Sequence, residues 1–123
     1  MADLKTTKKR FDSPDETRPF TDGKGMAQIV KLGGITAGRN TYEPGWQWSK
    51  HIKPLAKTDL CEITHTGFVI EGRMHIHMKD GTDLEVAPGE AVFVAPGHDA
   101  WVVGDKRCVI IDVSGETTFA KPM

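Results

Sequence analysis

The sequence predicts an all-β protein built as a sandwich or a small barrel. Turn dipeptides recur between His65 and His98 at nearly regular intervals: Glu71-Gly72, Asp80-Gly81, Pro88-Gly89 and Pro96-Gly97. Asp-Gly and Pro-Gly favour tight turns, because their glycines accept the positive φ that such turns require. The segments between the turns are short and apolar or alternating, and no helical periodicity separates them. Strands of this length and spacing are typical of sandwiches and barrels.

The composition is that of one domain with one core. The chain has 123 residues and a formal net charge of −1, which argues against a nucleic-acid interface, because such an interface needs a basic face. No apolar run is long enough to span a bilayer, and residues 1–11 lack the apolar segment of a signal peptide. We therefore expect a cytoplasmic protein without nucleic-acid or membrane partners. Its two cysteines, Cys61 and Cys108, are expected to be reduced.

The chain divides into three regions. Residues 1–25 are polar and carry prolines and glycines, so we expect an extended N-terminal arm. Residues 26–115 form the predicted barrel domain, and residues 116–123 a C-terminal tail. Within the barrel, residues 51–57 are predicted to form a loop and residues 60–63 a strand.

Two predicted strands are apolar on both faces. They are residues 91–95 and residues 108–111, the latter followed by Val113. A strand that is buried on both faces needs a cover on its outer side. The N-terminal arm or a second subunit could supply it. Since a symmetric dimer is the commonest arrangement, we expect a homodimer.

A resemblance to a known family rests on four motifs. They are Gly-Phe-Val-Ile-Glu-Gly at 67–72, the Asp80-Gly81 turn, Pro88-Gly89-Glu90, and Ala95-Pro96-Gly97. Across roughly residues 40–113 the chain resembles the small single-domain members of the cupin superfamily. The resemblance implies a jelly-roll β-barrel, also called a double-stranded β-helix, which commonly dimerises. It also implies a divalent metal held by three histidines and one glutamate.

The residues at the expected ligand positions differ from the cupin pattern. The first-motif glutamate should lie seven residues before Gly72, where this chain has His65. The preceding histidine pair falls near residues 58 and 60, or near Asp59 and Cys61, and only the second option offers ligands. The second-motif histidine should be residue 100, which is an alanine, whereas His98 lies two residues earlier. The resemblance therefore implies the fold but not the usual ligand set.

Four residues form the predicted metal site: His51, Cys61, His65 and His98. Cys61 precedes His65 by four residues around a predicted bend, and His98 has the same strand parity as residue 100. A set of cysteine and histidine ligands suits tetrahedral zinc, with iron or nickel as alternatives. The competing interpretation is that each is a buried structural residue, as cysteines commonly are.

His75 and His77 copy the His-x-His spacing of a cupin metal pair. They follow Gly72, however, and alternate with apolar residues on a predicted half-buried strand. Cupin ligands precede that glycine. We therefore expect these two histidines to face solvent or an interface.

Three tryptophans, Trp46, Trp48 and Trp101, are predicted to line a site for a small apolar or ring-bearing ligand. Trp46 and Trp48 share one face if the segment is a strand. The alternative places all three in the core or at a dimer interface. Three acidic residues could act as general acid or base if they face the pocket: Glu62, Glu71 and Asp99. Strand parity points Asp99 away from His98.

Two functions remain open from the sequence. The first is a small metal-dependent enzyme that acts on a small organic molecule in the barrel mouth. The second is a non-catalytic module that binds or senses a small ligand, with a structural metal or none. Three protein ligands and a water are typical of catalytic zinc, whereas four protein ligands are typical of structural zinc.

Overall fold

The computed structural model describes residues 5–122, and nearly all regular structure there is β-strand. The nine strands are β1 (Glu16–Pro19), β2 (Gly25–Leu32), β3 (Ile35–Tyr42), β4 (His65–Glu71), β5 (Met74–Met78), β6 (Asp83–Val86), β7 (Ala91–Val94), β8 (His98–Val102) and β9 (Cys108–Ser114). The two α-helices are α1 (Trp48–His51) and α2 (Lys53–Ala56). The predicted all-β class is confirmed.

The strands form two antiparallel sheets. The larger sheet has the order β1-β2-β3-β9-β4-β7, and the smaller has the order β6-β5-β8. The buried core draws on both sheets, with Ile29, Val69 and Ile110 from the larger and Ile76 and Val102 from the smaller. Core side chains alternate with outward ones, because successive residues of a strand face opposite sides. Every second side chain of these strands therefore points into the space between the two sheets.

The segment between β3 and β4 differs from the prediction. Residues 46–48 do not form a strand, since only Gln47 makes a single bridge, to Trp101, and Trp48 begins α1. The predicted loop at 51–57 contains α2, whose early Pro54 lies where a helix needs no N–H donor. Residues 60–63 are likewise reduced to one bridge, between Cys61 and His98.

The ends of the chain contribute to the barrel beyond the predicted limits of 26–115. Strand β1 lies within the predicted arm and pairs with β2, while residues 1–4 of that arm and residue 123 of the tail are outside the described residues. In the predicted tail, Phe119 and Ala120 are buried. Arg18 of β1 donates to the carbonyl oxygens of Thr117 and Phe119, at 3.3 and 2.8 Å. These contacts therefore hold the N-terminal strand and the C-terminal segment together against the barrel.

The outer face of the larger sheet carries an exposed apolar patch on β4, β7 and β9. It consists of Phe68, Ile70, Phe93 and Val113, which are 45%, 57%, 65% and 39% exposed. Two of its three strands, β7 and β9, are those that the sequence marks as apolar on both sides. Within the described residues, no helix has the length and apolar character needed to cross a membrane.

We propose that the apolar patch is the homodimer interface. Full burial of a phenylalanine side chain contributes about 1.5–3 kcal/mol, so Phe93→Asp should convert the dimer to a monomer. Lys50→Asp is the control for an acid added elsewhere, because Lys50 is exposed and lies on α1, outside the larger sheet. Sedimentation velocity at micromolar concentration measures the change. A monomeric wild-type protein, or a dimer that survives Phe93→Asp, would contradict the proposal.

Candidate metal centre

Three predicted ligands converge where β4 and β8 meet the loop before β4. The backbone N–H of Cys61 donates to the His98 carbonyl oxygen at 2.8 Å, and the Gly97 N–H donates to the Cys61 carbonyl oxygen at 2.7 Å. This bridge places the Cys61 side chain beside His98, while His65 is the first residue of β4. The ligand atoms of Cys61, His65 and His98 all lie within 4.8 Å of one another, and all three residues are buried. We call these residues the thiolate set.

The hydrogen bond of His98 fixes which of its ring nitrogens is free, and that of His65 does so when Asp112 is ionised. His98 Nδ1 lies 2.7 Å from the Ala95 carbonyl oxygen, which can only accept, so Nδ1 carries the proton. His65 Nδ1 lies 3.1 Å from Asp112 Oδ2, and its Nε2 lies 3.7 Å from Cys61 Sγ. With Nδ1–H donated to the Asp112 carboxylate, both histidines keep Nε2 as an electron-pair donor. Histidine ligands of metals are usually oriented by such a bond to a carboxylate or carbonyl oxygen.

Asp112 and Glu116 form a buried pair of carboxyl groups beside His65. Asp112 lies on β9, where it is opposite Gly38 of β3 and Gly67 of β4. A Cβ atom at position 67 would collide with the Asp112 carboxylate, and one at position 38 with the Glu116 carboxylate. Glycine in a strand often marks such a close approach. Both glycines therefore leave the space that the pair occupies.

Asn40 links the two carboxyl groups. Its Nδ2 donates to Asp112 Oδ2 at 3.0 Å and to Glu116 Oε1 at 2.7 Å. The ligand atoms of His65, Asp112 and Glu116 also lie within 4.8 Å of one another. We call these three residues the carboxylate set. His65 therefore belongs to two groups of donors.

Burial shifts the protonation of every group in the cluster. It raises the pKa of Asp112 to about 7, and together with the Asp112 charge it raises the pKa of Glu116 to about 8. Burial lowers the pKa of His65 to about 4 and also lowers that of His98. It raises the pKa of the Cys61 thiol to about 12. At neutral pH both imidazoles are therefore neutral, the thiol is protonated, and the carboxyl pair retains a proton.

The space beside this cluster is small. A cavity of about 40 Å³ is lined by His65, His98 and Asp112, together with Trp46 and Trp48. That volume holds little more than one water molecule, which occupies about 30 Å³ in the liquid. The Phe119 ring packs edge-on against His65, with 4.9 Å between the ring centroids, and helps to close the cavity.

A second pocket has Cys61 in its wall. It has a volume of about 190 Å³ and its walls are mostly apolar, including Trp48, Ile52, Ile63 and Ala120 around Cys61. Trp48 lines both spaces. Cys61 therefore faces a pocket large enough for a small ring, and Trp48 is common to this pocket and the interior cavity.

The comparisons with solved structures show what the fold is similar to. A protein of unknown function from Rhizobium leguminosarum is 21% identical, with 98% of this chain and 100% of that chain covered and a TM-score of 0.63. An uncharacterised conserved protein with a double-stranded β-helix domain from Klebsiella pneumoniae is 17% identical, with 97% and 92% covered and a TM-score of 0.59. This chain has a cupin-like fold. At these identities the likeness establishes the architecture alone.

A third similar structure has a more specific description. A putative ethanolamine utilisation protein Q from Salmonella typhimurium is 12% identical, with 75% of this chain and 69% of that chain covered and a TM-score of 0.52. No protein-family model and no curated protein matches the sequence. The predicted cupin-like double-stranded β-helix is thus confirmed as a fold.

The other predicted site residues are distributed differently in the cupin-like barrel. His51 is buried, but its Nδ1 accepts the Gln47 backbone N–H at 3.0 Å, and it belongs to neither donor set. Trp46 and Trp48 line the interior cavity. Trp101 instead stacks on His75, with 4.6 Å between the ring centroids. The metal-binding role of the thiolate set stays a prediction.

The remaining polar residues singled out in the sequence have structural contacts. His75 Nε2 and His77 Nδ1 both lie within hydrogen-bond distance of Asp83 Oδ1, at 2.7 and 2.9 Å, in an exposed position. This agrees with the expected solvent-facing strand. Asp99 accepts from Gln47 Nε2 and from the Ser49 backbone N–H, each at 3.0 Å, and so positions α1.

Sequence reasoning missed three residues of the cluster: Asn40, Asp112 and Glu116. Asp112 was available as an isolated acid within the otherwise apolar β9, and Gly38 and Gly67 as glycines inside strands. Glu116 offered no pattern, because it lies in the segment predicted to be a tail. With these residues, the three predicted ligands become part of a larger network of buried polar groups.

The carboxyl pair predicts how stability depends on pH. A buried acid whose pKa is raised holds its proton more tightly in the folded state, so its stabilising effect is lost as pH rises through the folded value. The lowered histidine pKa values act in the opposite direction, but only below their ordinary value of 6.5. The melting temperature of the metal-free protein should therefore fall between pH 6.5 and 8.

Calorimetry across this pH range tests the effect. Replacing both acids, Asp112→Asn with Glu116→Gln, should flatten the dependence, because neither amide titrates. Asp105→Asn is the control, since Asp105 is exposed and should leave the slope unchanged. A wild-type protein whose stability does not fall from pH 6.5 to 8 would show that the pair is already ionised in the folded state.

Proposed function

We propose that this cupin-like protein binds a divalent metal ion through Cys61, His65 and His98 and uses the site to bind or transform a small molecule. Zinc is the proposed ion, with iron or nickel as alternatives. The observation that carries the proposal is the convergence of one sulfur and two imidazole nitrogens within 4.8 Å in a buried site. The Ala95 carbonyl oxygen fixes the His98 tautomer that metal binding requires, and an ionised Asp112 would favour the same tautomer of His65.

The chemistry of the donor set supports zinc. One thiolate and two imidazoles are ligands that zinc commonly takes, and a thiolate disfavours hard ions. Charge balance supports it too, because a buried net charge is costly. A divalent ion, the Cys61 thiolate and an Asp112–Glu116 pair that retains one proton sum to zero.

The number of protein ligands favours a catalytic site. His51 belongs to neither donor set, so the thiolate set supplies three ligands and leaves a fourth tetrahedral position open. A zinc ion with an open position lowers the pKa of a bound water and polarises carbonyl groups. In such a site Asp112 would orient His65, and Phe119 would exclude water from the ring. Burial raises the pKa of the Cys61 thiol, so a bound ion would have to displace the thiol proton.

A second candidate function is a non-catalytic module with a structural ion, and the size of the interior cavity favours it. Small-molecule sites usually enclose about 300–1,000 Å³, whereas the cavity beside His65 and His98 holds about 40 Å³. The second pocket, of about 190 Å³ beside Cys61, would give a small ligand more space than the interior cavity does. An apolar cavity of about 150 Å³ is enough for benzene. A water exchangeable from the bound metal favours the first candidate, and a fully protein-ligated ion the second.

Zinc and cobalt titrations of the metal-free protein test the proposal. Zinc at a hundred times its dissociation constant should stabilise the fold by about 2.7 kcal/mol, because it binds the folded state. Cobalt should give the charge-transfer absorption of a thiolate ligand. Cys61→Ser should remove that absorption, and His65→Ala or His98→Ala should lower the affinity for both ions. His75→Ala is the matched control and should change neither.

The affinity for zinc should rise with pH between 6 and 8. Binding replaces the proton of the Cys61 thiol, whose pKa is raised by burial, so a lower proton concentration favours the complex. Equal affinities across this range would contradict a thiolate ligand. Loss of binding in His75→Ala, with retention in His65→Ala, would move the site to the exposed histidines.

A further inference from the structure

The two ring nitrogens of His65 face different groups of potential metal ligands. We propose that the carboxylate set is a second metal site, which takes a hard divalent ion such as Mn²⁺ and excludes simultaneous occupation of the thiolate set. The hard-ion site stands on its own geometry. The competition between the two sites rests on the proposed function.

The two sets lie on the two nitrogen-bearing edges of one imidazole. On the Nδ1 side, Asp112 Oδ2 is 3.1 Å away, and the ligand atoms of His65, Asp112 and Glu116 all lie within 4.8 Å. On the Nε2 side, Cys61 Sγ is 3.7 Å away. A metal at either edge would use a different nitrogen of the same ring.

Unpartnered oxygens mark the carboxylate side as incomplete. Glu116 and Asn40 are both 0% exposed, and Glu116 Oε2 and Asn40 Oδ1 have no hydrogen-bond donor among the described residues. A buried polar atom without a partner is uncommon and calls for an explanation. A proton shared between Glu116 and Asp112 would satisfy one of these oxygens and leave Asn40 Oδ1 unpaired.

The buried cation of this region does not neutralise the pair. Arg18 donates to the Glu116 and Phe119 carbonyl oxygens and to the carboxylate of Glu16. Its guanidinium is therefore engaged elsewhere, although it fixes the backbone that carries Glu116. Two adjacent carboxylates without a cation repel each other strongly in a buried site. A divalent ion would cancel both charges.

The donor type determines the class of ion. Two carboxylates, one imidazole and the adjacent amide oxygen of Asn40 are ligands that suit Mn²⁺, Mg²⁺ and Fe²⁺, whereas the thiolate set suits zinc. Asn40 would turn its amide over, so that Oδ1 faces the ion in place of Nδ2. This accounts for both unpartnered oxygens at once.

The exclusion between the sites follows from the imidazole itself. A neutral ring has one nitrogen with a free electron pair and one that carries a proton. When Nδ1–H donates to Asp112, only Nε2 can bind metal, in the thiolate set. When the proton is on Nε2, facing Cys61, only Nδ1 can bind metal, in the carboxylate set. An ion at one edge therefore withdraws the ring from the other.

Electron paramagnetic resonance of Mn²⁺ tests the proposal, since free and bound ions give distinct signals. The metal-free wild-type protein should bind one Mn²⁺. Cys61→Ser combined with His98→Ala should keep this binding, while Asp112→Asn or Glu116→Gln should weaken it by about tenfold or more. Zinc should release Mn²⁺ from the wild-type complex at a lower concentration than from the Cys61→Ser, His98→Ala double variant, which lacks the thiolate set.

Several results would overturn the proposal. If the wild type binds no Mn²⁺, a proton shared between Asp112 and Glu116 explains the pair instead. Mn²⁺ binding that Glu116→Gln leaves unchanged would also contradict the site. Simultaneous binding of one zinc and one manganese ion would contradict the exclusion. If a carboxamide variant fails to fold, electron spin-echo modulation of the wild-type complex decides. One coupled nitrogen, lost in His65→Ala, supports the site, and its absence contradicts it. Manganese binding without any zinc binding would refute the proposed function and leave this site standing.

Discussion

The hydrogen bond between His65 Nδ1 and Asp112 Oδ2 is the interaction on which the interior depends. It joins the neighbouring strands β4 and β9 and orients a ring that lies beside the Cys61 sulfur and the His98 imidazole. Asp112 can lie there because both of its cross-strand neighbours are glycines, at positions 38 and 67. The position of Asp112 therefore depends on the strand register and on both glycines together. A side chain at either glycine would displace a carboxylate.

This arrangement is costly for a small barrel. The cluster places five buried polar side chains close together inside the barrel: Asn40, His65, His98, Asp112 and Glu116. Replacing buried ionic groups with apolar residues of similar volume is often neutral or stabilising. The cluster is therefore poorly explained as a source of stability. Its chemistry, with donors for soft and hard ions on one ring, explains it better.

Much of the fold could be predicted from the sequence, because turns and strand alternation are local. The Asp80-Gly81 turn joins β5 to β6 as expected, with Gly81 at a φ of 91°. The resemblance to cupins also brought Cys61, His65 and His98 into one candidate group, through spacing from Gly72 and Gly97. His51 lies outside both donor sets, because α1 and α2 replace the expected loop and its ring accepts the Gln47 backbone N–H.

The carboxylate side of the site could not be predicted in the same way. Asn40 is 72 residues from Asp112 and 76 from Glu116 along the chain, and only the pairing of β3 with β9 brings them together. Strand order is a tertiary property that periodicity does not contain. Glu116 also depends on the clamp between Arg18 and the C-terminal segment, which links two regions predicted to lie outside the barrel.

X-ray absorption spectroscopy of the zinc-loaded protein tests the central claim most directly, since it reports the atoms that contact the metal. A buried ion in the thiolate set should show one sulfur at about 2.3 Å and two imidazole nitrogens at about 2.0–2.1 Å. The remaining coordination should be a light atom. A first shell that contains only nitrogen and oxygen, with no sulfur, would contradict the account.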